Sequence, residues 1–121
     1  NSNPLSLKSA IINYDKIQSK KSNKYILLGD MLELGKQSKK LHKSIAPIIN
    51  RTKIDKVFVK GNKASLIFDK ISKSKKGRIL SNKLQIIKLI KNELNNNDYL
   101  MVKASNATGF NRIVKDLKGL N

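Results

Sequence analysis

Three short polar clusters in this chain are the residues best placed to do chemistry. Gly29-Asp30 with Glu33 supplies two carboxylates three residues apart. Such a pair binds a cation or an ammonium group, or else caps a helix start. Gly61-Asn62-Lys63 is a second cluster, and Lys103-Ala104-Ser105-Asn106 is a third. Lys103 brings a cation and Ser105 a hydroxyl donor. A helix opening between Ser105 and Gly109 would add free backbone N–H groups for a phosphate or carboxylate. His42 is the sole histidine, which excludes a histidine metal cluster. Beside Leu41 and Ile45 it reads as a hydrogen-bonded surface residue of a helix. The chain contains no G-x-x-x-x-G-K-[ST] loop, no G-x-G-x-x-G loop and no Gly-x-Ser-x-Gly elbow. Cysteine is absent, which excludes disulfides, thiol catalysis and cysteine-ligated metals and is compatible with the cytosol. These loops can bind a ligand, but nothing beside them activates a nucleotide.

The elements that would carry these loops alternate between two hydrophobic periods. Asn3 reads as an N-cap with Pro4 at the first helical position, and Leu7, Ala10, Ile11 and Tyr14 give a helix to about Gln18. Tyr25-Ile26-Leu27-Leu28 is a buried strand. Leu41, Ile45, Ile48 and Ile49 give a helix over about Gln37 to Asn50, which Pro47 should kink or shorten. Val57-Phe58-Val59 is a strand, followed by a helix on Ala64, Ile67, Phe68 and Ile71. Arg78-Ile79-Leu80 is a short strand, and Leu84, Ile87, Ile90 and Leu94 give a helix capped by Asn82. Tyr99-Leu100-Met101-Val102 is the last strand, and Phe110, Ile113, Val114 and Leu117 give a closing helix.

The order αβαβαβαβα with wholly apolar strands predicts an α/β domain: a Rossmann-like, three-layer fold with a mostly parallel sheet covered on both faces. In such a sheet ligands bind beyond the carboxyl ends of the strands. That rule brings the three polar clusters to one edge.

At 121 residues this is a single domain with room for a core. The net charge of +18 suggests a polyanion partner. The kind of basicity argues otherwise, because 23 of the 26 basic residues are Lys, and Arg is the better reader of bases and phosphates. Lys, Asn and Ile together make 52 of the 121 residues, the composition that A/T-rich codons produce. The lysines are spread over the polar faces of every helix and read mainly as solvated surface. The alternative is a basic Rossmann-like module that binds nucleic acid. No apolar run approaches the roughly 20 residues of a membrane span. The start, Asn1-Ser2-Asn3-Pro4, lacks Met and reads as a cut inside a longer chain.

The same residues resemble the C-terminal domain of the Mur ligases of peptidoglycan synthesis. Asn1-Ser2-Asn3-Pro4-Leu5-Ser6 is similar to the Asn-Ala-Asn-Pro-x-Ser stretch that opens that domain. Leu28-Gly29-Asp30-Met31-Leu32-Glu33-Leu34-Gly35 matches the Leu-Gly-Asp-Met-x-Glu-Leu-Gly signature of members that add D-Ala-D-Ala. Ser38 and Leu41-His42 follow at the family's distance, and Ile54-Asp55-Lys56-Val57 is similar to its Gly-Ile-Asp-x-Val. Val102-Lys103-Ala104-Ser105-Asn106 stands where the family has Val-Lys-Gly-Ser-Arg. The resemblance implies one Mur ligase C-terminal domain over residues 1–121, without the N-terminal UDP-binding and central ATPase domains, and inactive alone.

For the full-length enzyme the resemblance implies a cytoplasmic ligase using ATP and Mg2+, both held mainly by the central domain. It makes an acyl phosphate on UDP-MurNAc-tripeptide, which the amine of D-Ala-D-Ala then attacks. Its partners are these substrates and the other two domains, with no nucleic acid and no membrane insertion. By the same resemblance Asn1, Asn3 and Pro4 face the nucleotide, and Asp30, Glu33, Lys103, Ser105 and Asn106 bind substrate. Ala104 in place of Gly tightens the backbone's approach, and Asn106 in place of Arg removes a fixed charge. The family's Asp and Tyr ahead of the opening stretch, with the strand that carries them, fall outside the sequence.

Overall fold

The computed structural model describes residues 3–18 and 20–105. The closing helix expected on Phe110 to Leu117 lies outside them, as do Asn1 and Asn106. Helix α1 (Pro4–Asp15) leads to strand β1 (Lys24–Gly29), then to α2 (Ser38–Lys43), α3 (Ile45–Asn50), β2 (Lys56–Lys60) and α4 (Ala64–Asp69). Strand β3 (Lys76–Ile79), helix α5 (Lys83–Lys88) and strand β4 (Tyr99–Lys103) complete it. The sheet order is β3-β2-β1-β4, and every pairing is parallel.

The strand pleat sorts the core into two layers. Ile26, Leu28, Val57 and Val59 face one side, with Leu7 and Ile11 of α1, Ile45 and Ile49 of α3, and Ile67 of α4. Leu27 and Phe58 face the other, with Ile86 of α5 and Leu89 just beyond it. The expected three-layer, mostly parallel α/β fold is therefore present. The path β1 to β2 to β3 steps one way with its helices on the first face. The return to β4 passes over the second face, as right-handed crossovers require. Connections out of β1 and into β4 thus run on opposite faces, which makes the gap beyond these two strands the switch point of the sheet.

Local differences from the sequence reading have physical causes. The expected helix from Gln37 to Asn50 is two helices that break at Ser44, after a 3-10 turn at Gly35–Gln37. Pro47 has no N–H for the Lys43 carbonyl and its ring crowds that carbonyl, so the break falls one turn upstream of the proline. The Asn82 cap is present, its Oδ1 accepting the Gln85 N–H at 3.0 Å. The stripe after it is not Leu84, Ile87, Ile90 and Leu94. Ile86 and Leu89 are the buried positions, and Leu84 is 57% exposed. Apolar residues at 84, 86, 87, 89 and 90 fit two helical faces, and a π turn at Leu89–Glu93 shifts Leu94 out of phase. Strand β3 starts two residues earlier than expected. Gly77 lies against the Phe58 ring, where a Cβ would stand 2.6 Å from a ring carbon.

Helix α1 stops at Asp15 rather than near Gln18 because a lysine ends it. Lys24 is only 4% exposed. Its ammonium donates to the carbonyls of Asp15 at 2.8 Å and Ile17 at 2.9 Å, and lies 3.8 Å from the Asp15 carboxylate. Lys75 does the same for Thr52 and Ile54 at 2.7 and 2.8 Å. Part of the basic surplus is thus built into the fold rather than solvated. Tyr14, also buried, donates its hydroxyl to the Tyr25 carbonyl at 2.9 Å, and burial pushes its pKa up to about 12.

Replacing Lys24 by Met keeps the stem and strips two inward carbonyls of their donor. The expected loss is about 2 kcal/mol of unfolding free energy, read as a lower urea midpoint at unchanged slope. Among the described residues no helix is long and apolar enough to cross a membrane.

Candidate functional site

Three loops meet at the strand-end edge. The Asp30 carboxylate, immediately after β1, reaches across to the start of α4. Its Oδ1 accepts the Ala64 N–H at 2.7 Å and the Lys63 N–H at 3.1 Å. Both are donors with no partner inside the helix. The acid therefore caps a helix, but not the one that follows it in sequence. The Gly61 backbone makes room for the carboxylate at φ +124°, where a Cβ would stand 2.3 Å from Asp30 Oδ1.

The loop after β4 closes on the same segment. The Ser105 N–H donates to the Asp30 carbonyl at 3.2 Å, and Ser105 Oγ accepts the Leu32 N–H at 2.8 Å. Ser105 is 5% exposed, so its hydroxyl oxygen braces the loop rather than standing open to solvent. Ala104 is buried too, its methyl packed with Leu27, Phe58 and Leu80. Where a Gly would leave a gap, Ala104 adds to the second core layer.

Glu33 is exposed and has a left-handed backbone at φ 62°, as does Gly35 two residues on at φ 67°. Lys103, exposed at the end of β4, pairs in register with Leu28. Asp30 and Ser105 are joined directly, and Glu33 and Lys103 stand on the same edge. Lys24 ties the last turn of α1 to the first residue of β1, so α1 runs antiparallel to β1 and its Asn3–Pro4 end lies in the helix layer toward the carboxyl end of the strand. The Asn3 side chain accepts the Ser6 N–H at 2.9 Å, and Ser6 Oγ accepts the Asn3 N–H at 3.3 Å, a capping box.

His42 does not sit at the surface. It is fully buried, with Nε2 at 2.9 Å from the Met31 nitrogen. Its i, i+4 spacing to Ser38 was the available signal. The partner loop is set by tertiary packing, which no local spacing reports.

The family described as Mur ligase, glutamate ligase domain matches residues 1–106. The chain belongs to the Mur ligase family. A UDP-N-acetylmuramoyl-tripeptide–D-alanyl-D-alanine ligase of Bacillus subtilis (strain 168) is 32% identical over 120 residues, 97% of this chain and 26% of the relative. One of the same name from Rickettsia prowazekii (strain Madrid E) is 29% identical over 114 residues, 94% of this chain and 25% of the relative. This Mur ligase chain therefore spans about a quarter of the length of these relatives. Among solved structures, the MurF ligase of Thermotoga maritima in complex with ADP superposes with a TM-score of 0.76 at 24% identity, over 95% of this chain and 25% of that one. MurF from Acinetobacter baumannii gives 0.75 at 21% identity, over 97% of this chain and 25% of that one. These likenesses establish the Mur ligase fold. The family match gives no support to the nucleic-acid alternative.

Proposed function

We propose that this chain is the C-terminal domain of an ATP-dependent ligase that joins D-Ala-D-Ala to UDP-MurNAc-tripeptide in peptidoglycan synthesis. The observation that carries the reading is the family match over residues 1–106, together with a D-Ala-D-Ala-adding relative at 32% identity. The strand-end edge is the face turned to the rest of the enzyme. Asn1, Asn3 and Pro4 lie on the nucleotide side. Glu33, Lys103 and Asn106, with the Asp30 carboxylate oxygen not used by the α4 cap, meet the incoming dipeptide. Ser105 supports them by holding the loop.

The described residues do not fit a Mg2+ ion. Among the described residues no group of three or more His, Cys, Asp or Glu side chains could hold a metal ion. The sequence has no phosphate loop either. ATP and Mg2+ belong chiefly to the remaining three-quarters of the enzyme, and this domain orients and encloses. The reaction takes place in the cytoplasm.

The test is kinetic and uses the full-length protein. Lys103→Ala removes a charged contact worth about ten- to hundredfold in kcat/KM for D-Ala-D-Ala. Lys88→Ala, on α5 at the far face, leaves it unchanged. Equal effects of the two substitutions would move the substrate face away from this edge.

A further inference from the structure

The partners of His42 define its protonation. Nδ1 is 2.7 Å from the Ser38 carbonyl oxygen, and Nε2 is 2.9 Å from the Met31 nitrogen. A carbonyl only accepts and a backbone N–H only donates. Nδ1 therefore carries the proton and Nε2 offers its lone pair: the ring is neutral and has one orientation. Met31 is 1% exposed, with its side chain in the first core layer, so without His42 its amide would be a buried donor with no acceptor. The next amide, Leu32, is held by Ser105 Oγ from the end of β4. Two successive N–H groups of one loop are thus fixed from two separate elements. Asp30 precedes them and Glu33 follows.

We propose that His42 is the positioning residue of the substrate loop: by accepting the Met31 N–H it fixes where Asp30 and Glu33 stand at the strand-end edge. It touches no substrate and acts only through the loop. The kinetic part of this inference rests on the ligase reading above; the structural part does not.

The test compares His42→Gln with His42→Asn in the full-length protein. The Gln Oε1 reaches the place of Nε2 and can accept the Met31 N–H. The shorter Asn reaches only the place of Nδ1. Hydrogen exchange of the peptide covering residues 30–34 should stay near wild type in His42→Gln. It should quicken about ten- to hundredfold in His42→Asn, the loss of one buried hydrogen bond. With D-Ala-D-Ala varied at saturating ATP, His42→Asn should raise KM about tenfold with a smaller change in kcat, and His42→Gln should restore it. Equal loss in both variants, by exchange or by unfolding, overturns the proposal, because a residue that only fills space is not rescued by a matching acceptor. Wild-type exchange in both overturns it as well. If the full-length wild-type protein joins no amine to the tripeptide, the ligase reading fails, while the exchange comparison still decides whether His42 holds the loop.

Discussion

Asp30→Ala lowers the unfolding free energy by about 2–3 kcal/mol, the cost of stripping a charged acceptor from two backbone amides. The amides are those of Lys63 and Ala64, and both lean on the single oxygen Oδ1. Helix α4 is only six residues long, so its start has few other means of support. Water can reach this half-buried edge and recovers part of the loss. Asp30→Asn keeps a neutral oxygen acceptor and should lose about half as much. Urea unfolding of the three proteins checks the order: wild type, Asn, Ala. A loss below about 0.5 kcal/mol for Asp30→Ala would show that the cap is no stronger than an ordinary surface contact.

Gly61→Ala has the larger expected effect, about 3 kcal/mol or more. Two costs add. The backbone at φ +124° is one that only glycine adopts without strain. The added methyl would also meet the Asp30 carboxylate at 2.3 Å, so the carboxylate must leave the cap. The second cost vanishes when Asp30 is already Ala. In that background Gly61→Ala should cost only about 1–2 kcal/mol, the backbone strain alone. A coupling of more than about 1 kcal/mol in the double-mutant cycle is the signature. Simple additivity would mean that the two residues do not share the space the structure gives them.

Those two residues show where sequence reading stops. Glycine after a buried strand and an acid after its neighbour are both visible in the sequence, and parallel strands bring their loops to one edge. Which amide the acid meets depends on β1 and β2 being adjacent and on Gly61 clearing the way, and neither is written locally. The strands β1 and β2 were legible because strands buried on both faces must be continuous apolar runs. The α1 face was legible because Leu7, Ile11 and Tyr14 recur at i, i+4 and i+7, whereas Leu5 and Ile12 lie off that stripe and are exposed. Helix α5 was not, because its apolar residues fit two faces and the narrow second layer selects Ile86 and Leu89. His42 reads as a surface residue in the sequence, since a lone His usually is, and nothing local marks Lys24 for burial. Their buried positions come from the carbonyls and the amide that the packed fold turns toward them.

The exposed residues of the edge, Glu33 and Lys103, are legible by type and place. The role proposed for them depends on the rest of the full-length protein. The most direct test is therefore made on the full-length protein with ATP, Mg2+ and UDP-MurNAc-tripeptide, offering D-Ala-D-Ala in competition with single amino acids and reading products by mass. The account predicts a product one D-Ala-D-Ala residue pair heavier than the tripeptide precursor, formed with one ADP per bond. Addition of a single amino acid instead, or no ADP release dependent on the dipeptide, would contradict it.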